Sequence, residues 1–191
     1  MEKLLKKRIS TFLLICIPML VLCGCSMKEL NHKKAKLLYE DGILLASKGD
    51  FEKAVVNFNQ SVEISQRIGF MVGVAHNYNE IGNIHTYRRE FDAAREYYLK
   101  ALSIYQKYRQ QPEISKSMDN IAKTYMRQSD FQKAAGVYEK LLVWDESTGN
   151  IIGAGITAFN LALIYERYIN DYQKAADFYR QAADSFIRSG N

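Results

Sequence analysis

One twelve-residue phrase, Phe91–Leu102 (FDAAREYYLKAL), returns in near-copy along the chain, and that return constrains the fold more than any other feature. DFEKAVVNFNQSV begins at Asp50, DFQKAAGVYEKLL at Asp130 and DYQKAADFYRQAA at Asp171. The marker alanines, Ala54, Ala94, Ala134 and Ala175, stand 40, 40 and 41 residues apart. A fixed period of this size makes each copy one unit whose apolar face is buried only by stacking on its neighbours. The sequence therefore predicts an all-α chain of about four helix–turn–helix units. Proline is scarce, at two residues, which favours unbroken helices.

The units run over about 33–69, 70–110, 111–149 and 150–188. In the first, AKLLYEDGILLAS places Leu37, Leu38, Asp41, Gly42 and Leu45 along one expected stripe at three- and four-residue spacing. Gly49 suits the left-handed residue that follows a helix end, and Asp50 suits the N-cap of the next helix. Pro112 is placed to open the leading helix of the third unit. The fourth unit carries one extra residue near Asn170.

Alignment of the copies gives a packing code. Gly42, Gly82, Ala122 and Ala162 are small where the two helices of a pair must touch, and Ala54, Ala94, Ala134 and Ala175 form the facing small column. Phe51, Phe91, Phe131 and Tyr172 are large at the start of the second helix. Phe58, Tyr98, Tyr138 and Tyr179 are positioned to fill the volume beside the small column. Most of the 13 tyrosines are thereby read as packing.

These columns, inside helix–turn–helix units, resemble tetratricopeptide repeats over residues 33–191. The period of 40 is similar to that of the longer-helix subgroup found in bacterial peptide-sensing regulators and kinesin light chains, and the proline that usually closes the second helix is missing. The resemblance implies an α-solenoid forming a right-handed superhelix whose first helices line a concave face. Carried onto this sequence, the exposed concave positions are Lys36, Tyr39, Ile43 and Ser47, then His76, Asn79, Asn83, Thr86 and Tyr87. Lys116, Asp119, Lys123, Met126 and Arg127 follow in the third unit, and Ile156, Phe159, Leu163, Glu166 and Arg167 in the fourth. The partner-binding set expected from this surface is Tyr39, Asn79, Asn83, Tyr87, Lys116, Asp119, Lys123 and Arg127. Amides can pair with an extended peptide's backbone, and lysine or arginine with its carboxylates. The family's clamp for a chaperone's C-terminal carboxylate is not matched. Asn83 and Asn120 fill two of its slots, but Asn79 stands where a lysine belongs, and Ile156 and Asn160 replace the last lysine and arginine.

The N-terminus reads as a targeting segment. Lys3, Lys6, Lys7 and Arg8 form a basic stretch, and Phe12 to Leu22 an apolar one too short for a comfortable membrane span. Leu22-Cys23-Gly24-Cys25-Ser26 resembles the lipobox of bacterial lipoproteins. That resemblance implies a signal peptide over 1–24 and a lipidated Cys25, with residues 25–32 as a short polar tether to a membrane of the bacterial envelope. Ser26 in place of aspartate implies outer-membrane sorting in a two-membrane bacterium.

Of the formal charge of +5, a net +3 lies in the first 24 residues, leaving +2 for the rest. The basic pI is thus largely that of the targeting segment, and no nucleic-acid partner is expected. All three cysteines fall at or before Cys25, so the repeats have no disulfide framework, and His32, His76 and His85 lack metal-site spacing. No metal, cofactor or catalytic set is expected. The function expected is a non-enzymatic protein- or peptide-binding scaffold held on lipid through Cys25. Alternatives are a structural assembly factor for an envelope complex, of pilus or secretion type, and the sensor part of a signalling system. The fourth unit closes without a distinct capping helix, so its open side is expected either to pack on another subunit or to be made polar enough by Arg180, Asp184 and Arg188.

Overall fold

The computed structural model describes residues 26–190, and among them the chain forms eight α-helices and no strand. The first, α1, covers residues 26–47. It is followed by α2 (Phe51–Arg67), α3 (Met71–Tyr87), α4 (Phe91–Lys107), α5 (Gln111–Arg127) and α6 (Phe131–Ser147), each of 17 residues. α7 (Ile151–Ile164) runs into one π-helical turn, Tyr165–Ile169, and α8 (Tyr172–Ser189) follows.

The 40-residue period proves to be two half-periods of identical construction. Residues with positive φ fall at Gly49, Gly69, Arg89, Arg109, Ser129, Gly149, Asn170 and Gly190, 20 apart except for one step of 21 that ends at Asn170. At the regular links the residue after this one donates its amide back across the helix end. Asp50 N–H reaches the Leu45 carbonyl at 3.0 Å, Phe70 that of Ser65 at 2.8 Å, and Glu90 that of His85 at 2.8 Å. Gly49 N–H bonds the Ala46 carbonyl at 3.0 Å, completing a Schellman closure that satisfies carbonyls the helix leaves open. The extra residue is absorbed by the π-helical turn, so Asp171 N–H reaches back one residue further, to the Tyr165 carbonyl at 3.0 Å. Asp130, Asn150 and Asp171 cap α6, α7 and α8 with side-chain oxygens. Asp50 makes no such cap on α2; its carboxylate pairs with the Lys53 ammonium at 2.6 Å.

The chain divides into two compact units that part between Gly73 and Val74. In the first, α1 and α2 meet at the predicted small column. A Cβ on Gly42 would lie 2.6 Å from Phe58 Cε1, so only glycine admits the buried ring. Ser61 Oγ donates to the Ala35 carbonyl at 2.8 Å beside it. In the second unit the code repeats: a Cβ on Gly82 would lie 2.7 Å from Tyr98 Cε1, and Ala94, Ala122, Ala134 and Ala162 are fully buried. From α4 to α8 each helix packs on its successor, and the largest core runs through α5, α6, α7 and α8.

Three expectations change. Residues 26–32, expected as a tether, are the first turns of α1, where Glu29 and Lys33 form an i,i+4 pair at 2.9 Å. Leu37 and Asp41 do not belong to the stripe that faces α2. Ala35 and Gly42 are buried there, with Leu38 and Leu45 half-buried beside them, while Leu37 and Asp41 lie exposed on the other side of α1. Tyr172 does not pack like Phe131, which stacks on Tyr168 with ring centroids 4.0 Å apart. Tyr172 is 66 % exposed and stacks on no ring among the described residues. The expected signal segment and Cys25 lie outside the described residues.

Candidate partner-binding surface

The first helices of successive pairs present the expected polar positions, and their side chains are tied together by hydrogen bonds. In the second unit Asn120 Nδ2 on α5 donates to Asn79 Oδ1 on α3 at 3.3 Å, and Asn79 Nδ2 donates to Glu80 Oε1 at 3.4 Å. Asn83 Nδ2 donates to the other Glu80 oxygen at 2.8 Å, and Asn83 Oδ1 accepts from the Tyr98 hydroxyl at 2.8 Å. Thr86 Oγ1 lies 3.0 Å from the same hydroxyl. The Tyr138 hydroxyl donates to Asp119 Oδ1 at 3.0 Å, and Lys123 pairs with Asp119 Oδ2 at 2.6 Å. Packing tyrosines thus also orient the polar face from beneath.

This placement separates the eight predicted contact residues. Lys116, Lys123 and Arg127 are exposed on α5, and Tyr87 is exposed at the end of α3. Asp119 and Asn83 are half-buried and held by tyrosine hydroxyls. Asn79 does not lie exposed as expected: it is 4 % exposed and joins two successive first helices. Tyr39 belongs to the first compact unit, where its ring packs 5.9 Å from that of Phe58. His76 is half-buried against Tyr105, its Nδ1 2.9 Å from the hydroxyl. Burial pushes its pKa below the ordinary histidine value, with Lys116 adding to the effect and Glu113 and Glu80 opposing it.

Between α5 and the π-helical turn lies a partly open cavity of about 370 Å³. Lys123, Arg127 and Arg167 surround it, Met126, Leu163 and Tyr168 supply apolar wall, and Asn160 adds an amide. No carboxylate is among its lining residues. Lys123 is already paired with Asp119, whereas Arg127 and Arg167 make no hydrogen bond or ion pair among the described residues. Arg127 and Arg167 are one period apart, so the repeat itself brings two guanidinium groups to one place. The sequence shows that pairing in its columns, but not the cavity, because the π-helical turn that places Tyr168 is signalled only as one surplus residue. Glu80, which links Asn79 to Asn83, also escapes sequence reasoning, since nothing marks it off from a solvated acidic residue. Among the described residues no cluster of three or more histidine, cysteine or carboxylate side chains could hold a metal.

Paired helices at a 40-residue period, with first helices side by side and a polar face held in fixed geometry, define an α-helical repeat scaffold of the kind that recognises proteins. The chain belongs to the tetratricopeptide repeat family, whose model matches residues 34–107, 73–142 and 113–187. The uncharacterized protein ycf37 of Guillardia theta is 29 % identical over 120 residues, covering 62 % of this chain and 64 % of that protein. BtubC (BKLC) from P. vanneervenii is similar in structure with a TM-score of 0.69 and 21 % identity, covering 82 % of this chain and 65 % of that one. Aspartyl phosphate phosphatase F from Bacillus subtilis gives a TM-score of 0.75 at 13 % identity, covering 84 % and 42 %. This chain spans less than two thirds of the length of each of these three relatives.

Proposed function

We propose that the protein is a lipid-anchored, non-enzymatic scaffold whose first-helix face binds an acidic segment of a protein partner in the bacterial envelope. The observation that carries the binding half is the cavity beside α5, which gathers Lys123, Arg127 and Arg167 with no lining carboxylate. Two of these cations lack an anionic partner, and a ligand carboxylate entering there would gain charge-assisted, bidentate contacts to guanidinium. The apolar wall of Met126, Leu163 and Tyr168 would cover a neighbouring aliphatic or aromatic side chain. Because Asp119 and Asn83 are already held by tyrosine hydroxyls, little ordering of the face is needed on binding.

The anchoring half is supported by the Leu22-Cys23-Gly24-Cys25-Ser26 sequence behind a basic and then an apolar stretch. No described helix is long and apolar enough to cross a membrane. Two or three acyl chains on Cys25 would provide durable attachment at about 0.8 kcal/mol per buried methylene.

Each half has its own test. A photo-reactive residue at Lys116 should crosslink an envelope protein in intact cells, and adding Lys123→Glu with Arg127→Glu should abolish that adduct at unchanged helicity. An adduct that survives the double charge reversal would refute the groove reading. Radiolabelled palmitate should enter the wild type and be absent from Cys25→Ser. Equal labelling of both would refute the anchor and leave the groove reading untouched.

A further inference from the structure

The outer side of α1 is a repeat-to-repeat face that stays uncovered within the described chain. In α5 the corresponding positions are Ser117, Ile121 and Thr124, and in α7 they are Thr157, Leu161 and Ile164, all buried where the preceding second helix packs. In α1 one period earlier they are Leu37, Asp41 and Leu44, and Leu37 and Leu44 are 60 % and 51 % exposed. Leu30, one heptad before Leu37, is 61 % exposed. Leu30, Leu37 and Leu44 therefore form a straight apolar row along α1, at a spacing of seven residues.

The charges beside this row say what fits it. Successive residues of a helix are turned by about 100°, so Lys33 and Glu40 lie along one flank of the row and Lys34 and Asp41 along the other. Two copies of α1 can meet through the row in two symmetric ways. Side by side in the same direction, each flank faces the opposite flank of its copy, which sets Lys33 against Lys34 and Glu40 against Asp41. Run in opposite directions about a two-fold axis at Leu37, each flank faces itself reversed. Lys33 then meets Glu40, Lys34 meets Asp41, Leu30 meets Leu44, and Leu37 meets its own copy. Every charge is matched in the second arrangement and opposed in the first. Lys33 and Glu40 are each engaged within α1, with Glu29 and Lys36, but these pairs are solvent-exposed and exchange at little cost.

We infer that the protein forms an antiparallel homodimer through the outer face of α1, with Leu37 on the two-fold axis and Lys34–Asp41 pairs on its flank. The contact is isologous, so it closes at two copies rather than propagating. It lies on the first compact unit and uses none of the residues assigned to partner binding, so neither reading depends on the other.

Sedimentation velocity of the full chain, from about 1 to about 100 μM, tests this because a dimer's population depends on protomer concentration. The wild type should pass from monomer to dimer over that range. Leu37→Glu sets two carboxylates on the axis and should weaken dimerisation by at least about tenfold, and Lys34→Asp, which opposes Asp41 of the other copy, should weaken it similarly. Lys34→Asp combined with Asp41→Lys restores opposite charges to the antiparallel pairing and should recover the wild-type dissociation constant, whereas Lys34→Asp alone would relieve, not weaken, a parallel pairing by facing Lys33 of the other copy. All three positions are exposed, and circular dichroism of each variant checks that the helices remain. A wild type that is monomeric throughout, an assembly untouched by Leu37→Glu, or a double swap no better than Lys34→Asp alone would each overturn the inference.

Discussion

Gly82 and Gly136 are both glycines inside helices, yet their surroundings are opposite. A Cβ at Gly82 would meet the Tyr98 ring at 2.7 Å, and that ring cannot swing aside, because its hydroxyl is bonded to Asn83 and lies 3.0 Å from Thr86. A Cβ at Gly136 meets nothing within 4 Å. Gly82→Ala should therefore cost about 1–3 kcal/mol through overpacking. Gly136→Ala should raise stability by up to about 1 kcal/mol through helix propensity. Urea midpoints of the two variants check this, and two shifts of the same sign would contradict it. The small column was legible from sequence because its cause is local: glycine or alanine recurs wherever a large ring sits across the helix pair. Asn79 was not legible, because a 40-residue alignment assigns it the column of Tyr39, Asp119 and Phe159, none of which is buried as it is. Its burial comes from one particular bond, to Asn120.

The elements are coupled through a buried carboxylate that no solvated reading of the sequence suggests. Asp145, near the end of α6, is 1 % exposed and accepts from Ser115 of α5 at 2.8 Å, Asn150 of the following link at 2.9 Å and Thr157 of α7 at 3.2 Å. Its column holds Tyr105 and Ser65 one and two periods earlier, both buried, so the alignment does contain the position's environment. What it lacks is the partner set, since Ser115, Asn150 and Thr157 come from three different segments. Asp145→Ala would strand hydroxyl and amide donors between three helices. Each hydrogen bond to a charged group contributes about 1.5–3 kcal/mol, so a total loss of about 3 kcal/mol or more is expected. Asp145→Asn, which keeps the shape and one acceptor oxygen, should lose less. Denaturant unfolding of the two variants decides it, and an alanine variant as stable as the wild type would mean that the donors find water instead. The π-helical turn is the element the sequence announced least clearly. One surplus residue near Asn170 was countable, but whether it lengthened a loop or bulged a helix depends on the Phe131–Tyr168 stack, which forms only after folding.

Across the second unit, three tyrosines, Tyr98, Tyr138 and Tyr165, are buried between helices, and this gives that unit a common response to alkali. Burial raises the Tyr98 hydroxyl to about 12. Tyr138 is pushed higher still, first by burial and then by the Asp119 carboxylate it donates to. Tyr165 is raised to about 12 by burial, reinforced by its bond to Glu139. An unfolded tyrosine ionises near about pH 10. For each of these groups the folded value lies above the unfolded one, so above about pH 10 the unfolded chain releases protons that the folded chain retains. Their contribution to stability is complete below that pH and declines as pH rises through the folded values. Because these rings sit between consecutive helices, ionising any one of them opens the contact on which its neighbours stack, and the loss should be cooperative across the second unit. Absorbance of tyrosinate against pH follows these ionisations directly. The late class from these buried rings should rise only together with loss of the helical circular dichroism signal. In Tyr138→Phe the late step should move to higher pH, since one ionisation that pulls toward the unfolded chain is gone, even though stability near neutrality falls with the lost Asp119 bond. Titration of all tyrosines in a single step near pH 10 with helicity intact would show that these hydroxyls reach solvent without unfolding, and the link between packing column and alkaline stability would fail.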